Sequence, residues 1–73
     1  MKVLVTGGNG FIGKNVINEL VSRNIEVVSF DLVHPTNMID GVQYVIGTIM
    51  DQFSLGKAMQ GCDAVFHLAA VLG

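Results

Sequence analysis

Three glycines, Gly7, Gly10 and Gly13, spaced G-x-x-G-x-x-G, stand between the apolar run Val3-Leu4-Val5 and a stretch of helical periodicity that begins at Phe11. Residues of these types in this order can hold a phosphate. The first N–H groups of a helix have no intrahelical partner and lie at the positive end of its dipole, so they attract a pyrophosphate. Gly7 permits the tight turn out of a strand, Gly10 removes the Cβ that would hold phosphates away, and Gly13 lets the helix press against the sheet. The spacing differs by one residue from G-x-G-x-x-G, which makes Gly8 an additional member of the loop. Asp31 closes the next apolar stretch. A carboxylate there can accept both hydroxyl hydrogens of an adenosine ribose and repels a 2′-phosphate, so the two signals together imply NAD rather than NADP.

A rival pattern runs through the same residues. Gly8 to Lys14 also fit G-x-x-x-x-G-K, the phosphate loop of nucleoside triphosphatases, with Asp31 in the place of the strand-borne Mg²⁺ carboxylate. Asn15 stands where that loop needs Ser or Thr. Phe11 and Ile12 would also be stranded in a phosphate-wrapping loop, whereas the dinucleotide reading buries them in the first turn of the helix. His34 and His67 have no Cys, Asp or Glu at ligand spacing and no serine that forms a triad with them. His67 is therefore read as a structural strand residue, and neither a catalytic residue nor a metal ligand is assigned. Cys62 is the single cysteine, which excludes an internal disulfide and points to a reduced, cytoplasmic setting. It is read as a small buried side chain.

The elements that must position these residues follow from periodicity. Val3 to Val5 read as a strand buried on both faces. From Phe11 to Arg23, Ile12, Val16 and Leu20 recur on one helical face with Ile17 and Val21 beside them, while Lys14, Asn15, Asn18, Glu19 and Ser22 take the other. Asn24 suits a helix stop, and Ile25 to Phe30 form a second strand. Leu32 to Gly41 carry Pro35, Thr36, Asn37 and Asp40 without helical period and read as a loop. Val42 to Ile46 form a third strand, Asp51 caps a helix through about Gln60, Gly61 ends it, and Asp63 to Ala69 form a fourth strand. Strands alternating with crossovers imply a parallel, doubly wound α/β sheet in the order 3-2-1-4. The first helix and the Leu32–Gly41 loop then cover one face and the second helix the other. A ligand on the glycine loop would lie at the carboxyl ends of the strands, near Thr6, Asp31, Gly47 and Ala69.

Seventy-three residues make one small domain at most, and such a chain buries only about 60% of its unfolded surface. The sequence is 51% apolar and 14% charged, a surface poor enough in charge to suggest a missing neighbour. A net charge of −2 with only four basic residues excludes the basic patches that nucleic acids and anionic membranes require. The apolar start Met1 to Val5 reaches Thr6 and Gly7 too soon for a signal-peptide core, and no apolar run is long enough to span a membrane.

Taken together, Thr6-Gly7-Gly8-Asn9-Gly10-Phe11-Ile12-Gly13, Asp31, Gly47-Thr48-Ile49-Met50-Asp51 and His67-Leu68-Ala69-Ala70 resemble the extended short-chain dehydrogenase/reductases, which include NAD-dependent sugar-nucleotide epimerases and dehydratases. The resemblance covers essentially the whole chain and implies a Rossmann-like fold. It implies that Gly7, Gly10, Phe11, Ile12 and Gly13 hold the pyrophosphate, Asp31 the adenosine ribose, and Leu68, Ala69 and Ala70 the cofactor further towards the nicotinamide. Thr48 stands where the family usually has Asp near the adenine, which weakens that contact, while Ile49 can still pack on the ring. The family's Tyr-x-x-x-Lys is missing, and Tyr44, the one tyrosine, reads as a strand residue.

The resemblance thus implies that residues 1–73 are the N-terminal, NAD-binding part of an epimerase, dehydratase or dehydrogenase, without its catalytic motif and substrate domain and inactive alone. The alternatives are a freestanding nucleotide-binding or assembly module and, further off, a degenerate phosphate-loop protein. Because strand 4 forms the edge of the sheet, the chain is expected to associate with itself by edge pairing or strand exchange around Val65 to Ala70.

Overall fold

The computed structural model describes residues 1–69, in the order β1 (Lys2–Thr6), α1 (Phe11–Ser22), β2 (Glu26–Asp31), β3 (Val42–Ile46), α2 (Gln52–Met59) and β4 (Ala64–His67). The strands form one parallel sheet in the order β3-β2-β1-β4. This is the doubly wound topology that the alternation of apolar runs and crossovers requires. The register brings four strand ends level: Thr6 pairs with Phe30 on one side and His67 on the other, and Asp31 pairs with Ile46. Residues that leave these ends therefore converge on one rim of the sheet.

Alternation along β1 divides the core. Val3 and Val5 join Ile17, Leu20 and Val27 on the α1 face, where Ile39 of the loop and Val42 of β3 pack against them. Leu4 joins Val28 and Phe30 on the α2 face, against Val45, Ile49, Leu55 and Ala58. Phe30 is fully buried, a burial that contributes about 2–3 kcal/mol. Helix α1 stops where Asn24 takes a φ of 60°, a conformation Asn tolerates better than most residues. Asp51 caps α2 by accepting hydrogen bonds from the N–H groups of Phe53 and Ser54, as the sequence implies. Tyr44 lies in β3, and its hydroxyl accepts the N–H of Ile39, which ties the long loop to the sheet.

Several expectations need correction. Phe11 and Ile12 are 84% and 65% exposed, not buried in the first turn. The buried stripe of α1 is Gly13, Ile17 and Leu20, because Gly13 meets the glycine loop and turns the start of the helix outward. Cys62 is half-buried rather than enclosed, with its Sγ bonded to the carbonyl of Ala58 at 3.5 Å. Strand β4 is shorter than the apolar run suggests and ends at His67, after which the N–H of Leu68 still donates to the carbonyl of Thr6 at 3.1 Å.

Candidate functional site

The glycines of the loop divide their work. Gly7 has a φ of 73°, and a Cβ there would lie 2.9 Å from the backbone nitrogen of Ala69. A Cβ on Gly13 would lie 2.2 Å from the carbonyl oxygen of Gly7 and 2.7 Å from Cα of Gly8, so its close packing is with the loop rather than with the strands. Gly10 differs. A Cβ on it would meet only the Gly7 carbonyl oxygen, at 3.4 Å, and the residue is exposed at the lip of a cleft. The first two glycines are needed by the protein's own packing, while Gly10 keeps open a space that the chain itself does not fill.

That space is continuous with a cleft of about 480 Å³. Seven of the expected residues line it: Gly7, Gly10, Asp31, Thr48, Ile49, Leu68 and Ala69. Phe30, Leu32, Gly47 and Met50 complete the lining. Of these, Leu32 had no signal in the sequence beyond its place after Asp31. Phe11, Ile12 and Gly13 do not line the cleft, but they form the first turn of α1, ahead of the bond from the N–H of Lys14 to the carbonyl of Gly10 at 2.9 Å. Their N–H groups are the orphan donors of the helix, Gly10 offers no side chain to cap them, and no acidic residue stands in this turn. The expected role of Ala70 lies outside the described residues.

Asp31 sits half-buried across the cleft from Gly10. Its Oδ2 accepts the N–H of Asn9 at 3.0 Å and its Oδ1 that of Val33 at 3.1 Å. An ionised carboxylate has about four acceptor positions, so each oxygen keeps one for a ligand hydroxyl. Sequence reasoning passed over Asn9. Its Oδ1 accepts the hydroxyl of Ser29 at 3.1 Å and its Nδ2 donates to the carbonyl of Val33. The available signal was its type, since Asn in a turn tends to bond nearby backbone.

The far wall is fixed by Thr6. Its buried hydroxyl accepts the N–H of Ala69 at 3.3 Å and shares a hydrogen bond of 3.0 Å with Nδ1 of His67, whose direction follows the imidazole tautomer. His67 thereby holds the end of β4 against β1. Thr48 Oγ1 accepts the N–H of Met50 at 3.2 Å, which shapes the floor of the cleft beside Ile49. Among the described residues no three His, Cys, Asp or Glu side chains gather as a metal site, and no helix is long and apolar enough to cross a membrane.

A strand, a glycine turn with one open cradle, a helix N-terminus and an acid at the next strand's end form the arrangement that receives a dinucleotide. The model of the NAD dependent epimerase/dehydratase family matches residues 3–73. The chain belongs to that family. Among its epimerase/dehydratase relatives, a 3-beta-hydroxysteroid dehydrogenase of Mycolicibacterium neoaurum is 40% identical over 97% of the chain, which spans 20% of that protein. A 2-alkyl-3-oxoalkanoate reductase of Stenotrophomonas maltophilia is 40% identical over the whole chain, here 22% of its length. The UDP-glucose 4-epimerase of Thermus thermophilus, solved in complex with NAD, superposes on the whole chain with a TM-score of 0.85 at 32% identity, over 25% of that structure. A short-chain dehydrogenase/reductase superfamily protein of Agrobacterium tumefaciens with bound NAD gives 0.86 at 33% identity, over 21%. The chain therefore spans between a fifth and a quarter of these relatives.

Proposed function

We propose that this chain holds NAD as the N-terminal part of an oxidoreductase of the epimerase/dehydratase family. The observation that carries the reading is the open cradle at Gly10, which shares one cleft with the Asp31 carboxylate. The orphan N–H groups of Phe11, Ile12 and Gly13 bind the pyrophosphate, Asp31 accepts the hydroxyl hydrogens of the adenosine ribose, and Ile49 and Met50 flank the adenine. Leu68 and Ala69 guide the rest of the cofactor along the rim between β1 and β4. When bound, NAD supplies the hydride-accepting or hydride-donating carbon of the reaction. The chain's own residues bind and orient the cofactor and keep the phosphates at the end of α1. No part of the proposed role of these residues is proton transfer to a substrate.

The phosphate-loop alternative is disfavoured by Asn15, whose Nδ2 donates to the carbonyl of Phe11 at 3.2 Å instead of offering a hydroxyl to a metal ion. Self-association is part of the proposal. Among the described residues β4 pairs with β1 alone, and its Val65 and Phe66 are 39% and 46% exposed, an apolar edge that another strand can cover. Calorimetric titration with NAD, NADP and ADP-ribose tests the cofactor reading. NAD and ADP-ribose should bind and NADP should bind more weakly, whereas silence from all three would refute it.

A further inference from the structure

Asn9 ties the glycine loop to the end of β2 and to the loop that follows it. Through its backbone N–H it reaches Asp31 Oδ2 at 3.0 Å, through Oδ1 it accepts from Ser29 Oγ at 3.1 Å, and through Nδ2 it donates to the carbonyl of Val33. Ser29 is buried in β2, so Asn9 is anchored at one end to the core. At the other end, Val33 returns its N–H to Asp31 Oδ1 at 3.1 Å. The carboxylate is thus held from both sides by groups whose positions depend on one amide side chain.

We propose that Asn9 is the positioning residue for cofactor selection, holding the Asp31 carboxylate aimed at the ribose so that a diol is accepted and a 2′-phosphate refused. The inference rests on the NAD reading above and adds to it the residue that makes Asp31 selective. An unrestrained aspartate at a strand end samples several rotamers and can swing away from a phosphorylated ribose. One bonded to Asn9 and Val33 cannot turn without giving up both hydrogen bonds. The side chain suits the task because an amide accepts from Ser29 and donates to Val33 at the same time. Aspartate would lose the donor and bring a second negative charge towards Asp31, and alanine would lose both bonds.

The test is a double-mutant cycle on the full chain, read by calorimetric titration with NAD and NADP. Asn9→Ala should weaken NAD binding about tenfold, the size expected for loosening hydrogen bonds to a charged group, and should narrow the gap between NAD and NADP. In an Asp31→Ala background the same substitution should cost nothing further. Amide exchange at Val33 should quicken in Asn9→Ala without any cofactor present. If the alanine variant does not fold, Asn9→Ser, which adds no charge and is too short to bond Ser29 and Val33 at once, is read in the same way. Equal losses of NAD and NADP in both backgrounds would show a general loop effect and overturn the proposal. Wild-type chain that binds neither cofactor would remove the NAD reading and this inference with it; wild-type chain that binds NAD while Asn9→Ala binds as well would remove this inference alone.

Discussion

Gly13 lies so near Gly7 that a Cβ on the one would fall 2.2 Å from the carbonyl oxygen of the other. Loop and helix are therefore locked backbone to backbone, and the contact leaves no flexible side chain to yield. Gly13→Ala should force the loop and α1 apart, a backbone displacement that costs about 1–3 kcal/mol or more and lowers the melting temperature. Gly10→Ala, whose Cβ meets only Gly7 at 3.4 Å, should melt within a few degrees of wild type yet lose NAD binding. Thermal melts and titrations on both variants separate the glycine that serves packing from the one that serves the ligand. Loss of stability in Gly10→Ala would mean its openness has another cause.

Removing the acid tests the ribose contact. Asp31→Ala should weaken NAD by about tenfold or more and strengthen NADP, because the first loses a hydrogen-bonded partner and the second a repelling charge. Binding constants for the two cofactors, compared between variant and wild type, give the answer. Parallel losses would assign Asp31 to the loop's own support through Asn9 and Val33.

The sheet edge predicts association. Sedimentation of the chain should reveal a dimer or larger species, and Phe66→Lys, which sets a charge on the exposed edge, should shift it towards monomer. A monomer that persists at high concentration would contradict the edge-pairing account.

Acid should loosen α2 first. The Ser54 hydroxyl and the N–H groups of Ser54 and Phe53 bond the Asp51 carboxylate and hold its pKa below the ordinary 3.8. A group lowered in the folded state stabilises it fully above its unfolded value, and that support fades as pH falls through the folded one. Far-UV circular dichroism should show helix loss setting in below about pH 4, with Asp51→Ala abolishing that acid-dependent component. An unchanged acid limb in the variant would place the transition elsewhere.

Much of this architecture was readable from residue order alone. Val3-Leu4-Val5 and Val27-Val28 are apolar without alternation, as strands covered on both faces must be, and the switch to a period near four at Phe11 marked α1. The strand order followed from right-handed crossovers, and most of the cleft lining from the glycine turn, Asp31 and the two later family motifs. What escaped was decided by backbone contact at short range. Phe11 and Ile12 looked like core because they are apolar and lie at the head of an amphipathic helix; the approach of Gly13 to Gly7 and Gly8 rotates that head into solvent. Asn9 was hidden for the opposite reason, since its three partners lie in a different strand and loop, and only the folded register brings them to it.

A calorimetric titration of the wild-type chain with NAD and NADP side by side tests the central claim most directly. The account requires one site per chain, NAD bound more tightly than NADP, and loss of the NAD signal in Gly10→Ala. No heat from either cofactor, or NADP bound as tightly as NAD, would contradict it.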